Sequence, residues 1–228
     1  MGDSSRASQE SPIGGYACVG ALSSRLGSDE LLGVFSECDG YVSHALIEDV
    51  ELAYECANGA TFENTVLRAC LFERVDLSDC TFRDVVFDNC RFIGCVMDGV
   101  WLNRVDMRDC SASGMSFLRA RFARFGASST DFSYANFSEA SVDHMKLESC
   151  RLREAALQRA KLKHVRWDEC DLTRLDIFGT PLAGIDVSSC VFVAPVLTGD
   201  YRELRGAVVS EGQALDLAQL LGVRIAEG

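Results

Sequence analysis

Histidine is scarce in this chain of 228 residues: three occur, at His44, His144 and His164. That scarcity leaves few partners for a nucleophile–base pair or a histidine-based zinc centre. The chain also lacks a glycine-rich phosphate loop, a paired-carboxylate motif and CxxC-type ligand spacing. The expectation is therefore a protein that is not an enzyme, with no catalytic residue, no cofactor and no bound metal. No run of 18 apolar residues occurs, so no membrane-spanning helix and no membrane partner are expected. The polar N-terminus has no apolar core of a secretory signal, so no export leader is expected.

What the sequence does contain is a period. Every fifth residue from Phe62 to Leu197 is apolar, through 28 consecutive positions without a slip of phase, and ten of the 13 Phe residues sit on that register. Five matches neither the 3.6 of an α-helix nor the 2 of a strand. A fixed period points to a solenoid, in which each repeat stacks on the next. A second column runs two residues ahead of the first: Ala60, Thr65, Cys70, Val75, Cys80, Val85 and onward to Cys190 and Pro195, mostly small or aliphatic. Two inward residues in five suit a short extended run with a turn, one side of a square. Four sides make a coil of 20 residues, and seven coils at the spacing of paired strands give a rod roughly 34 Å long.

The triplets Val75-Asp76-Leu77, Ala135-Asn136-Phe137, Cys170-Asp171-Leu172 and Ile185-Asp186-Val187 show small, Asp/Asn and large apolar residues in order. In these the chain resembles the pentapeptide repeat proteins. The resemblance implies a right-handed quadrilateral β-helix, an all-β solenoid of about seven to eight coils with a C-terminal α-helical cap. The Asp/Asn position is often departed from, as at Arg91, Trp101, Lys161 and Pro181, which weakens expected turn bonds without threatening the register.

The organisation expected is a disordered leader and short segment over 1–40, the β-helix over 41–199, and a capping helix and strand over 200–228. Residues 1–14 read as disordered, Ser28 as the cap of a short helix over 28–36, and 41–59 as an irregular first coil. Ser210 and Gln213 fit a capping box, Ala214, Leu217, Ala218 and Leu221 follow at helical spacing, Gly222 is placed to end the helix, and Val223-Arg224-Ile225 reads as a final strand. The resemblance further implies a homodimer built through this helix, at Leu217, Leu220 and Leu221.

Six of the 11 cysteines, Cys70, Cys90, Cys110, Cys150, Cys170 and Cys190, share one side of the square, with Thr130 filling the gap. They read as a ladder of buried, unpaired thiols, which suits a reducing compartment and a cytoplasmic location. His144 and His164 stack one coil apart. They lack a third ligand and read as ordinary surface histidines rather than a metal pair.

The resemblance also brings an activity. Several members bind DNA gyrase or topoisomerase IV and protect against quinolones by mimicking duplex DNA, and the chain resembles those without projecting loops. The net charge of −12 suits this, but residues 60–197 hold 19 acidic and 17 basic residues, so most of the excess lies outside the rod. Two acid-leaning sides make a candidate DNA-mimic surface: Asp76, Asp79, Asp88, Asp98, Asp106, Asp109, Glu148, Asp168 and Glu169. A third side carries Arg104, Arg121, Arg124, Lys161 and Lys163. Three readings follow: a partner of a type II topoisomerase, a scaffold for another protein, and a nucleic-acid binder. The last is disfavoured because that basic side has no row of stacking aromatics.

Overall fold

The computed structural model describes residues 15–36, 40–220 and 222–224. They form a parallel β-solenoid with a short helix at each end. The elements are β1 (Ser24–Leu26), α1 (Ser28–Phe35), β2 (Tyr41–Ser43), β3 (Ala45–Glu48), β4 (Glu51–Ala53), β5 (Thr61–Arg68), β6 (Leu71–Glu73), β7 (Thr81–Asp88), β8 (Arg91–Ile93), β9 (Trp101–Arg108), β10 (Arg121–Ser128), β11 (Ser141–Glu148), β12 (Lys161–Asp168) and α2 (Glu211–Leu220). Each long strand from β5 to β11 pairs in parallel with the residues 20 further on: Phe62 with Phe82, Leu102 with Phe122, Val142 with Leu162.

Corners recur every five residues. His44, Asp49, Tyr54, Gly59, Asn64, Ala69, Arg74 and Asp79 all have φ between 50° and 77°, and the series continues to His164, Glu169, Arg174, Gly179 and Gly184. Left-handed backbone costs an ordinary residue about 1 kcal/mol. Here the cost is offset because the corner N–H donates to the next coil, as from Asp49 to Arg68, Asn89 to Arg108 and Asp109 to Ser128. Where the Asp/Asn position is kept, the side chain accepts from the residue two ahead: Asp76 from Ser78, Asp131 from Ser133, Asn136 from Ser138, Asp186 from Ser188.

The large apolar column fills the interior and stacks on itself. Phe62 and Phe82 lie with ring centroids 4.9 Å apart, Phe72 and Phe92 5.3 Å, Phe117 and Phe137 4.9 Å. The thiol ladder is present: Cys70, Cys90, Cys110, Cys150, Cys170 and Cys190 are buried and free, and the hydroxyl of Thr130 accepts from the N–H of Cys110.

Residues 41–59 are not irregular. Val42, Ala45, Ile47, Val50, Leu52, Ala57 and Ala60 are buried in phase with the lattice, so the register begins at Val42, and small Ala57 holds the place of a large residue. The cap is α1 instead, where Leu31 is buried and Phe35 meets Phe62 edge-on at 6.4 Å. Gly27, not Ser28, is its N-cap; the Gly27 N–H donates to Glu30 at 2.9 Å. Ahead of α1, β1 already pairs with β3, so the sheet starts before residue 41. The leader over 1–14 lies outside the described residues.

At the other end the ladder stops at Pro181. In each earlier coil the residue at this place donates its N–H to the coil below: Thr81 to Ala60, Trp101 to Cys80, Arg121 to Val100, Ser141 to Ala120, Lys161 to Ala140. Proline has no N–H. Among the described residues β12 has no strand partner above it, Leu162 and Val165 are half-buried, and a cleft of about 340 Å³ opens beside Trp167 and Gly184. Segment 182–187 bonds upward instead, to Glu203, Gly206 and Val208. Thus on this side the phase survives at Pro181 but the strand ladder does not, while other sides still pair, Asp171 with Val191 and Asp176 with Val196.

The C-terminal capping box is present, with the Ser210 N–H donating to Gln213 Oε1 at 2.8 Å and the Gln213 N–H to Ser210 Oγ at 3.3 Å. Gln213 Nε2 also donates to the carbonyls of Val187 and Cys190, which fastens α2 to the last coil. Gly222, at φ 76°, ends the helix. Val223 and Arg224 form no strand, because the Val223 N–H turns back to Ala218. Leu221 and Ile225 lie outside the described residues.

Candidate interaction surface

The outward side chains make a grid in which neighbours 20 residues apart meet across one coil step. Parallel pairing therefore sets many of the ion pairs, while Lys146–Glu148 and Arg166–Asp168 form along a single strand. Arg68 reaches Asp88 at 3.0 Å, Arg83 reaches Glu63 at 3.2 Å, Arg151 reaches Asp131 at 3.2 Å, and Arg104 grips Asp84 through both Nε and a terminal nitrogen. The Arg104 guanidinium holds the Asp84 carboxyl below the usual carboxylate range.

This grid thins the acidic surface expected from sequence. Asp88, Glu148 and Asp168 are paired with Arg68, Lys146 and Arg166. Asp76 and Asp98 accept bonds from Ser78 and from Ser116 and Leu118. Asp79, Asp109 and Glu169 stand exposed at corners, and among the described residues none of the three has an ion pair.

Asp106 is not a surface acid. It is 3% exposed, because residues 15–26 lie along the rod as an arm that binds one coil after another. The N–H groups of Tyr16 and Ala17 donate to the two oxygens of Asp106 at 2.9 and 3.2 Å. That of Cys18 donates to Asp84 at 3.2 Å, that of Gly20 to Asn64, and those of Ser23 and Ser24 to the carbonyl of His44. Gly126 is needed above Asp106, since a Cβ there would lie 2.5 Å from Oδ1. No pattern in 15–26 announces this arm; Gly126 one coil step from Asp106 was the one available signal.

The basic side is left less balanced. Arg104 is tied to Asp84, but Arg121, Arg124, Lys161 and Lys163 are exposed, and among the described residues none makes an ion pair. Between them lies a cluster that sequence reasoning dismissed. The imidazoles of His144 and His164 stack with centroids 4.3 Å apart. Asp143 supplies the third group held to be missing: its Oδ1 lies 2.9 Å from His144 Nδ1 and 2.8 Å from His164 Nδ1. The adjacent Asp143-His144 and a histidine 20 residues on were the legible signal.

Residues 57–101 match the family model described as pentapeptide repeats (9 copies), and residues 150–192 match the one described as pentapeptide repeats (8 copies). Those segments lie at the two ends of one unbroken lattice. The chain belongs to the pentapeptide repeat family. No curated protein matches it. Among solved structures it is similar to HetL of the cyanobacterium Nostoc, a pentapeptide repeat protein involved in heterocyst differentiation regulation, at 18% identity and a TM-score of 0.49 over 82% of this chain and 94% of that one. It is also similar to QnrB1, a plasmid-mediated fluoroquinolone resistance protein, at 19% identity and 0.39 over 91% and 100%. Rfr23 of the cyanobacterium Cyanothece shares 10% identity, at 0.20 over 75% and 91%.

Proposed function

We propose that this pentapeptide repeat protein is a non-enzymatic interaction rod. The observation that carries the reading is the surface grid: charges held at fixed spacing by inter-coil pairing around an interior filled by stacked side chains. Such a surface presents a rigid charge pattern to a macromolecule. The partner we assign is a type II topoisomerase, gyrase foremost, bound as a mimic of duplex DNA. The support is the family resemblance together with the exposed corner carboxylates Asp79, Asp109 and Glu169. The acid-rich first coil, with Asp49, Glu51 and Glu55, adds to it. The surface that supports this reading is narrower than nine residues, since Asp106 is buried and Asp88, Glu148 and Asp168 are paired.

A supercoiling assay with purified gyrase, with and without a fluoroquinolone, tests the partner. Inhibition or protection at micromolar protein is expected, reduced by a triple change of Asp79, Asp109 and Glu169 to their amides. Neither effect in wild type would reject the topoisomerase and leave a rod for another partner. The same reading includes a homodimer through α2 and a reducing, cytoplasmic setting. The setting is supported by eight buried free thiols.

A further inference from the structure

We infer that Asp143, His144 and His164 form a surface binding site for a divalent transition-metal ion of the Cu(II)/Ni(II) class, bridging two successive coils. Three potential ligand atoms converge: one ring nitrogen of each imidazole and a carboxylate oxygen, all within 4.8 Å of one another. The lattice places them. Asp143 and His144 lie on β11, His164 lies on β12, and Val142 is paired with Leu162 and Met145 with Val165, so the two corner histidines are in register. Both have positive φ, 63° and 52°, and stack at 4.3 Å, so their rings project side by side from one edge of the rod.

The donor set, two imidazoles and a carboxylate, and its spacing suit that class of ion. Ligands about 2.05 Å from one metal stand about 2.9 Å apart at right angles and about 3.35 Å apart at the tetrahedral angle. Here the oxygen lies 2.8 and 2.9 Å from the two nitrogens. Right-angled nitrogen and oxygen ligands suit tetragonal Cu(II) or Ni(II) better than tetrahedral Zn(II). The site is open above, where a Cβ on Gly184 would meet nothing within 4 Å, which leaves room for water to complete the coordination. Lys161 and Lys163 flank the cluster and Arg124 lies one coil below, so repulsion by three cations weakens binding. The bound ion ties β11 to β12 at the last step before Pro181 ends the ladder, so it stabilises the rod there by mass action.

The test is calorimetric titration of the full chain with Ni(II), and Cu(II) electron paramagnetic resonance, both after the accessible thiols, Cys18 and Cys56 among them, are blocked by alkylation. Asparagine tolerates the left-handed corner, so His144→Asn and His164→Asn remove a ligand without backbone strain. One ion per chain is expected. Asp143→Asn, His144→Asn and His164→Asn should each weaken it by about tenfold or more, while His44→Asn changes nothing. The Cu(II) spectrum should carry hyperfine splitting from two imidazole nitrogens, and Zn(II) should bind more weakly than Ni(II). Wild-type affinity in all three variants, or absence of stoichiometric binding, would overturn the site and leave a carboxylate merely hydrogen-bonded to two imidazoles.

Discussion

A buried cysteine in this rod is more than a small filler. Cys70, Cys90 and Cys110 each donate the thiol proton to a carbonyl 23 residues earlier, of Ile47, Leu67 and Phe87. The hydrogen bond with Cys110, and then burial, push Cys90 up to about 12; the bond with Cys150, and then burial, do the same for Cys170. Burial pushes Cys80 to about 12, against an ordinary value of 9.0. Cys150 moves the other way, lowered by its bond from Cys170. Between about pH 9 and 12 the folded rod therefore holds protons that the unfolded chain releases. The stability these thiols contribute is present below pH 9 and is lost as pH rises to about 12. Denaturant unfolding across that range should show the fall, and a flat profile to pH 12 would contradict it. Native thiol labelling should reach Cys18 and Cys56 at once, and the eight buried thiols only on unfolding.

Among the elements, the arm over 15–26 is the one whose attachment rests on single groups. Asp106 accepts two of its backbone N–H bonds, and hydrogen bonds to a charged acceptor contribute about 1.5–3 kcal/mol. Asp106→Ala should raise amide exchange at Tyr16 and Ala17 by about tenfold or more, with protection of β5 and β7 unchanged. Equal loss of protection in the rod would mean that Asp106 holds the coils and not the arm. Gly126→Ala should act alike, by forcing the Asp106 side chain out from under the arm. Element boundaries were partly legible. Ser210 and Gln213 announce the cap of α2 by the chemistry of their side chains, and Gly222 its end. Ser28 misled, because Gly27 takes the N-cap on backbone geometry alone. Ala57 hid the first coil, since a small residue in the large column looks like a break until its neighbours are seen buried around it.

Across the whole molecule the two ends differ. The N-terminal end is covered by α1, while the C-terminal end keeps aliphatic side chains in the open: Val191 is 54% exposed, Leu215 52% and Leu220 38%. Leu217 and Leu220 line a groove of about 270 Å³ with Phe192, Val193 and Pro195. The proposed dimer would cover this patch with a second copy. Light scattering at micromolar concentration should give twice the mass of one chain, and paired Leu217→Asp and Leu220→Asp changes should halve it. A mass of one chain in the wild type would end the dimer reading.

By itself the sequence determined the period, the inward columns, the thiol ladder and the capping box. Each is a local rule repeated, or a bond between residues three apart, so phase alone carries it. Tertiary structure decided what becomes of the charges and the ends. Whether Asp106 meets water depends on an arm folded back from some 90 residues away. Whether Asp143 joins the two histidines depends on side-chain directions at a corner, and whether the ladder continues past Pro181 depends on one missing N–H meeting a particular carbonyl. These are contacts between coils, which a five-residue period places within reach of each other but does not orient.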